Sequence, residues 1–532
     1  MKTIRLATTV TAGFALAATV AACNTDLTGL NQDPNNPTDA PAGALFTNAV
    51  NSAVGRWLGG GYSLRATEFT SQQIAEAQYP DEDRYARLQG SDTDGWFTGP
   101  YTNDLEDLRK IIAKGQATKD AGVYGPAMVM QSWDFGYLTD TWGDVPYTDA
   151  LMGDSTGGSL APKYDTQKSI YTGLFTALSN AVKAMSGGQV NGLAGADPLY
   201  GGDLGEWEKF ANSLHARYAM RIVNVDPATA DKELKAAFSA PGGVFTSNAD
   251  NALLAWPGDG VNDNPWADNF KTRDDHRMSK VLMDILVANK DPRTGIFAQP
   301  VADSSLYPGG YGGMPNGLST SAAGTYLAVA SRPGAIFWPG NTSAGFYGSA
   351  ANLATPSYLM TYAELSFIKA EAAERSMGGL SPSQAKGFYN DAITASLEQW
   401  GVTDPAAISA FLAQPGIVFQ GNGSGGAGDP GLKQIALQKW VALFTDGGQA
   451  WFEWRRTCQP SAVVAGPAAT ISFVPRRYEY STTEGTVNEA NLDAAIADQG
   501  PDNFGTRVWW DTKPTVAPTY VSASVCAGNN GK

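Results

Sequence analysis

The sequence predicts a mainly α-helical protein in which tetratricopeptide-like helix pairs carry long irregular loop insertions. Three observations lead there. Apolar residues recur at helical spacing through 124–139 and run into a turn containing Gly143 and Pro146. Two further periodic segments, over 358–376 and from Tyr389 to Trp400, are joined at Gly378-Gly379 and together approach the length of one tetratricopeptide repeat. Residues 240–350 lose the period and are rich in Gly, Pro, Asn and aromatics, apart from one helix over 278–287.

Residues 1–22 read as a lipoprotein signal peptide. Lys2 and Arg5 form a basic start, the apolar run from Phe14 to Ala22 is too short to span a bilayer, and Val20-Ala21-Ala22 places small residues before Cys23. Cleavage there leaves Cys23 as the lipidated amino terminus. Residues 23–41, rich in Asn, Asp and Pro, form a flexible tether that buries too little apolar surface to fold alone. The remainder, 42–532, reads as a single helical domain with its irregular insertion at about 240–350.

The formal net charge of −15 becomes more negative when Lys2 and Arg5 leave with the signal, which argues against nucleic acid or anionic surfaces as partners. Of three cysteines, Cys23 is assigned to lipid, and Cys458 and Cys526 remain as a disulfide candidate joining the last helix to the tail. The two histidines, His215 and His276, sit in no HExxH or CxxC pattern, so both are expected to be structural, with neither metal nor cofactor.

Taken in order, helices are expected over 44–58 and 64–77. The loop Gly90–Tyr101 then feeds an amphipathic helix marked by Leu105, Leu108, Ile111 and Ile112. The helix at 124–139 has apolar residues on two faces and packs on both sides; Gly143 supplies its cap, and the acids beyond it are read as surface groups of a capping turn. Tyr164-Asp165 opens a helix through Met185. In the next, from Trp207, Arg217 and Arg221 lie one turn apart and could anchor acids at 140–149 in a structural network. A helix over 228–239 completes that pair. Gly421–Gly431 lacks the spacing of a phosphate loop and reads as a linker. Beyond it, two helices broken at Gly447-Gly448 carry Trp451 and Trp454 one turn apart, as core or groove aromatics.

Several of these segments resemble the SusD/RagB family of nutrient-binding outer-membrane lipoproteins. The likeness rests on Asn31–Thr38, on Trp96 to Leu108 (WFTGPYTNDLEDL), and on Asp140–Leu151 (DTWGDVPYTDAL). It continues through Asp291-Pro292-Arg293, Gln438–Phe444 (QKWVALF), Ala450–Thr457 (AWFEWRRT), the VPRRYEY tail and Trp509-Trp510-Asp511. The resemblance implies a lipid-anchored, surface-exposed protein of the outer membrane. Such a protein captures a glycan or peptide-type ligand and delivers it to a SusC-like TonB-dependent transporter.

Two other readings are a surface glycan-cleaving enzyme on a helical scaffold and a helical-repeat interaction module without a small ligand. An enzyme is not expected: no pair of carboxylates is singled out by its surroundings, and no GxSxG motif appears. A binder fits the aromatic loops, because sugar rings stack on Trp and Tyr. By location, the resemblance assigns ligand binding to Trp96, Trp266, Tyr307, Tyr311 and Trp338, with Trp96, Tyr311 and Trp338 foremost. The ligand itself is not specified by any motif.

Overall fold

A computed structural model describes residues 40–153, 158–186, 192–340, 348–426 and 428–511. Cys23, the 23–41 tether and Cys526 lie outside the described residues, apart from the last two tether positions. The protein is mainly α-helical, and several consecutive long helices pack against one another.

The array begins with α1 (Ala42–Trp57), which buries Phe46, Val50, Val54 and Trp57 along one stripe. After the short α2 (Ser91–Gly99) come α3 (Leu105–Thr118), α4 (Ala121–Trp142) and α5 (Gln167–Met185). α4 packs against both α3 and α5. It is accordingly buried on nearly every face, and its apolar residues show no single stripe. Its start is set by Asp120, whose carboxylate accepts from Gly122 N at 3.0 Å. Its end is set by Gly143 at φ 89°, where a Cβ would collide with the Gln499 side chain.

Next, α6 (Leu204–Arg221) and α7 (Pro227–Ser239) pair with each other, each capped by an aspartate, Asp203 and Asp226. α8 (Lys280–Ala288) is the longest helix described in the irregular stretch, beside the short turns Pro265–Asn269, Thr294–Phe297 and Thr320–Gly324. α9 (Tyr362–Glu374) and α10 (Pro382–Gln399) form the second clear pair, turning at Gly378 (φ 65°) and Gly379 (φ 77°). α11 (Pro430–Ala442) returns onto α9, and α12 (Gly447–Thr457) follows it.

Among the described residues, six short strands make three antiparallel pairs: β1 (Ile74–Glu76) with β5 (His276–Met278), β2 (Val145–Pro146) with β3 (Tyr164–Asp165), and β4 (Ala252–Leu254) with β6 (Ser357–Met360). β1 corrects the expected helix over 64–77. A π-helical segment, Gly60–Thr67, runs into a single helical turn, Glu68–Ser71, and the left-handed Gln72 (φ 61°) ends it. The chain then extends to pair with β5, and this partner lies two hundred residues away, beyond the reach of local periodicity.

Two of the acids expected at the surface, Asp140 in the last turn of α4 and Asp144 just beyond it, are buried, while Asp149 is exposed as expected. Asp140 accepts from Tyr171 Oη at 2.6 Å and Trp510 Nε1 at 2.7 Å, and lies 3.5 Å from Arg221 Nε. Arg221 also meets Glu453 at 2.9 Å, and Glu453 pairs with Lys439 (3.3 Å) and Arg456 (2.7 Å). Arg456 pairs in turn with Glu371 at 2.6 Å. Burial opposes the charge on Glu453 and Glu371, but the arginines around them prevail and hold both carboxyls below their usual range. Trp451 and Trp454 are core residues; Trp451 donates to Pro475 O at 2.9 Å. No helix among the described residues is long and apolar enough to cross a membrane.

Candidate ligand-binding cleft

Beyond β1 the chain turns sharply and presents Tyr79, which is 63% exposed. Glu76 builds the turn: its Oε1 accepts from the backbone N–H groups of Gln78 (3.2 Å) and Tyr79 (3.3 Å). Facing it, just before β5, Arg273 lays its guanidinium over the Tyr79 ring at 5.3 Å from the centroid. Asp275 fixes that arginine, accepting from Nε at 2.7 Å. An exposed aromatic plane and a charged planar donor are thus held together by the two strands that carry them.

These groups line a cleft of about 380 Å³, together with Arg65, Asp81, Glu82, Arg87 and Thr320. Its acids are matched by arginines. Glu82 takes both Arg65 Nε (3.0 Å) and Arg65 Nη2, and Asp81 takes Arg84 at 3.2 Å. The turn is lashed to its surroundings. Arg84 Nε donates to Ala468 O, and Thr470 N donates to Arg84 O, both at 2.9 Å. Behind it, buried Asp83 accepts from Asn316 Nδ2 (2.7 Å) and Gly317 N (3.1 Å), and burial pushes its carboxyl up to about 7. The cleft combines a stacking face with fixed hydrogen-bond donors, which suits a ligand with apolar faces and polar edges, such as a sugar.

The aromatics proposed from sequence are scattered. Trp96 lies in α2, half-buried, against Tyr62 (5.6 Å) and Tyr478 (6.1 Å). Tyr307 is half-buried and donates to Gly313 O at 2.5 Å; Tyr311 is half-buried on the main core. The other two are inside. Trp338 is wholly buried, stacked on Phe270 at 4.5 Å with its indole N–H donating to Pro333 O. Trp266, 2% exposed, packs on Phe337 and Phe444. Their Gly- and Pro-rich neighbourhoods suggested open loops, but long-range ring contacts bring these two loops onto the helical core. Neither offers a face to a ligand in this conformation. None of the five lines the cleft.

Tyr79 and Arg273 were missed because Tyr79 was expected just past a helix and Arg273 lies in an aperiodic run. The available signal was Tyr79-Pro80-Asp81, an aromatic beside a turn-forming pair in a stretch with no helical claim on it.

Comparison with known proteins places this chain in a family. A structure of a chitin-binding protein matches with 27% identity and a TM-score of 0.75, covering 89% of this chain and 100% of its own. A chitin-binding SusD homologue from Flavobacterium johnsoniae matches with 26% identity and a TM-score of 0.72, over 88% of this chain and 98% of its own. A SusD homologue from Bacteroides uniformis shares the fold at 23% identity and a TM-score of 0.73, over 89% and 100%. No curated protein matches the chain. The family model described as SusD-like, starch-binding associating with outer membrane, matches residues 34–481, so the chain belongs to the SusD-like family.

Proposed function

We propose that this protein is a cell-surface glycan-binding lipoprotein that captures an oligosaccharide and passes it to a SusC-like TonB-dependent transporter. The observation that carries this reading is the exposed Tyr79 ring held beside Arg273 at the mouth of the cleft. The chitin-binding structures at 27% and 26% identity support a glycan over a peptide. Binding rather than catalysis is favoured because the acids Asp81 and Glu82 are each tied to an arginine, with no carboxylate pair left facing the cleft. Cys23 supplies the lipid anchor, and the transporter is the partner that gives a surface binder access to the cell. Trp96, Tyr307 and Tyr311 remain candidates for additional ligand contacts.

The test is calorimetry of the full mature chain against chito-oligosaccharides, malto-oligosaccharides and a peptide panel. Binding of a glycan that falls about 5- to 150-fold in Tyr79→Ala, as loss of one stacked ring worth about 1–3 kcal/mol requires, supports the reading. Glycan binding unchanged in Tyr79→Ala removes the cleft, and binding confined to peptides removes the glycan. Purification from the native membrane in mild detergent checks the partner: a large β-barrel should accompany the lipoprotein.

A further inference from the structure

Behind the cleft, the β1–β5 ladder sets Glu76 directly opposite His276, and Asp275 precedes that histidine in the chain. All three side chains are buried, and one ligand atom from each lies within 4.8 Å of the others. Hydrogen bonds within the group do not satisfy it. Nδ1 of His276 lies 2.8 Å from Asp275 Oδ1. With the ring proton on that nitrogen, Nε2 carries a lone pair. The lone pair faces Glu76 Oε2 across 3.7 Å, and neither atom makes a hydrogen bond.

Two acceptors opposed in a dry interior repel each other unless a positive species lies between them. The gap is too long for a hydrogen bond. A shared proton would draw the atoms to about 2.7–2.9 Å. Two ligands each about 2.0–2.2 Å from one zinc-class ion span a gap of this size.

The supporting groups are also present. Asp275 stands behind the imidazole as the outer member of a carboxylate–histidine–metal arrangement. Phe69 stacks on the ring at 5.7 Å, and Phe270 meets it edge-on at 5.4 Å, which limits its rotation. Glu76 is held at its other oxygen by the two backbone N–H groups of the Tyr79 turn. Glu76 brings one carboxylate charge to the ion, and Asp275, shared with Arg273, adds part of a second. The ligands come from strands two hundred residues apart, so no spacing motif in the sequence announces them.

We propose that Glu76, His276 and Asp275 form a binding site for one divalent transition-metal ion of the zinc class. His276 Nε2 and Glu76 Oε2 ligate the ion, Asp275 orients the imidazole, and the remaining positions fall to water. The ion would cross-link β1 to β5 and so fix Tyr79 relative to Arg273. The site does not depend on which ligand the cleft takes, and zinc alone tests it.

The full mature chain is stripped with EDTA and titrated with zinc chloride, and bound metal is counted by mass spectrometry. The expected result is about one zinc per chain, an X-ray absorption spectrum showing imidazole nitrogen and oxygen neighbours without sulfur, and loss of the ion in His276→Gln and Glu76→Gln. Asp268→Asn, an exposed carboxylate, should keep it. No uptake by the folded wild type, undiminished uptake in both variants, or a spectrum showing sulfur overturns the site. Should a variant fail to fold, the wild-type stoichiometry and spectrum decide.

Discussion

Arg217 of α6 and Glu364 of α9 form a two-pronged pair inside the helical array, Nε to Oε1 at 2.7 Å and Nη2 to Oε2 at 2.5 Å. Both side chains are almost fully buried, and Arg217 also donates to Leu359 O at 2.9 Å. The pair joins helices from the two halves of the chain. Removing one partner strands a charge in a dry interior. Arg217→Ala or Glu364→Ala should each cost about 3–5 kcal/mol, whereas Arg217→Met with Glu364→Leu should cost less than either. Urea denaturation of the three variants measures the difference; a double variant no more stable than the single ones would contradict the stranded-charge account.

Tyr79 and Trp338 should separate binding from folding. Tyr79→Ala removes a ring that is mostly in water, so the melting temperature should stay within a degree or two while glycan affinity falls. Trp338→Ala opens a cavity beside Phe270 and should cost about 3–5 kcal/mol. Differential scanning fluorimetry beside calorimetry tells the two apart.

The pH dependence of stability has two limbs. Asp446, buried beside Tyr137, is pushed up by burial to about 7 from its ordinary 3.8, and Asp83 likewise to about 7. A carboxyl raised in the folded state binds its proton more tightly there than in the unfolded chain. Stability from these two groups therefore falls as pH rises from about 4 through 7. Glu371, lowered to about 2 from 4.5 with Arg456 its largest opposing influence to burial, acts in the other direction: its contribution is present above 4.5 and lost as pH falls toward 2. Denaturation midpoints should therefore decline from pH 5.5 to 8, and Asp446→Asn should flatten that decline. A wild-type midpoint that climbs over this range would contradict the first limb.

Two covalent states complete the expectations. Mass spectrometry of the mature amino terminus should find diacyl- or triacylglyceryl modification at Cys23, and Cys23→Ala should release folded protein from the membrane. Cys458, buried at the left-handed end of α12 (φ 56°), is proposed to bond Cys526. In unfolded, non-reduced protein neither should react with maleimide; labelling of both rules the bond out.

The helical array was legible because long helices repeat their apolar residues: α4, α5, α6, α9 and α10 all fall close to their expected spans. The site was not legible to the same degree. β1 has three residues and owes its extension to β5, a partner no local window contains. Trp338 and Trp266 sit among glycines and prolines, and only Phe270, Phe337 and Phe444, brought in from elsewhere, reveal that they are packed. Arg221 was rightly suspected of holding an acid near 140, since helix geometry fixed its neighbours; Arg217 turned instead to Glu364.

The pairing of Glu76 with His276 also sets a timetable. Loop closure over so long a span comes late in folding, after the local helix pairs have formed. A chain emerging during synthesis completes α1 and α4 long before β5 exists, so it can hold hydrophobic cores while possessing no cleft. On the proposed function, ligand capture would therefore report a completed β1–β5 ladder: a copy truncated before β5 would lack the cleft altogether.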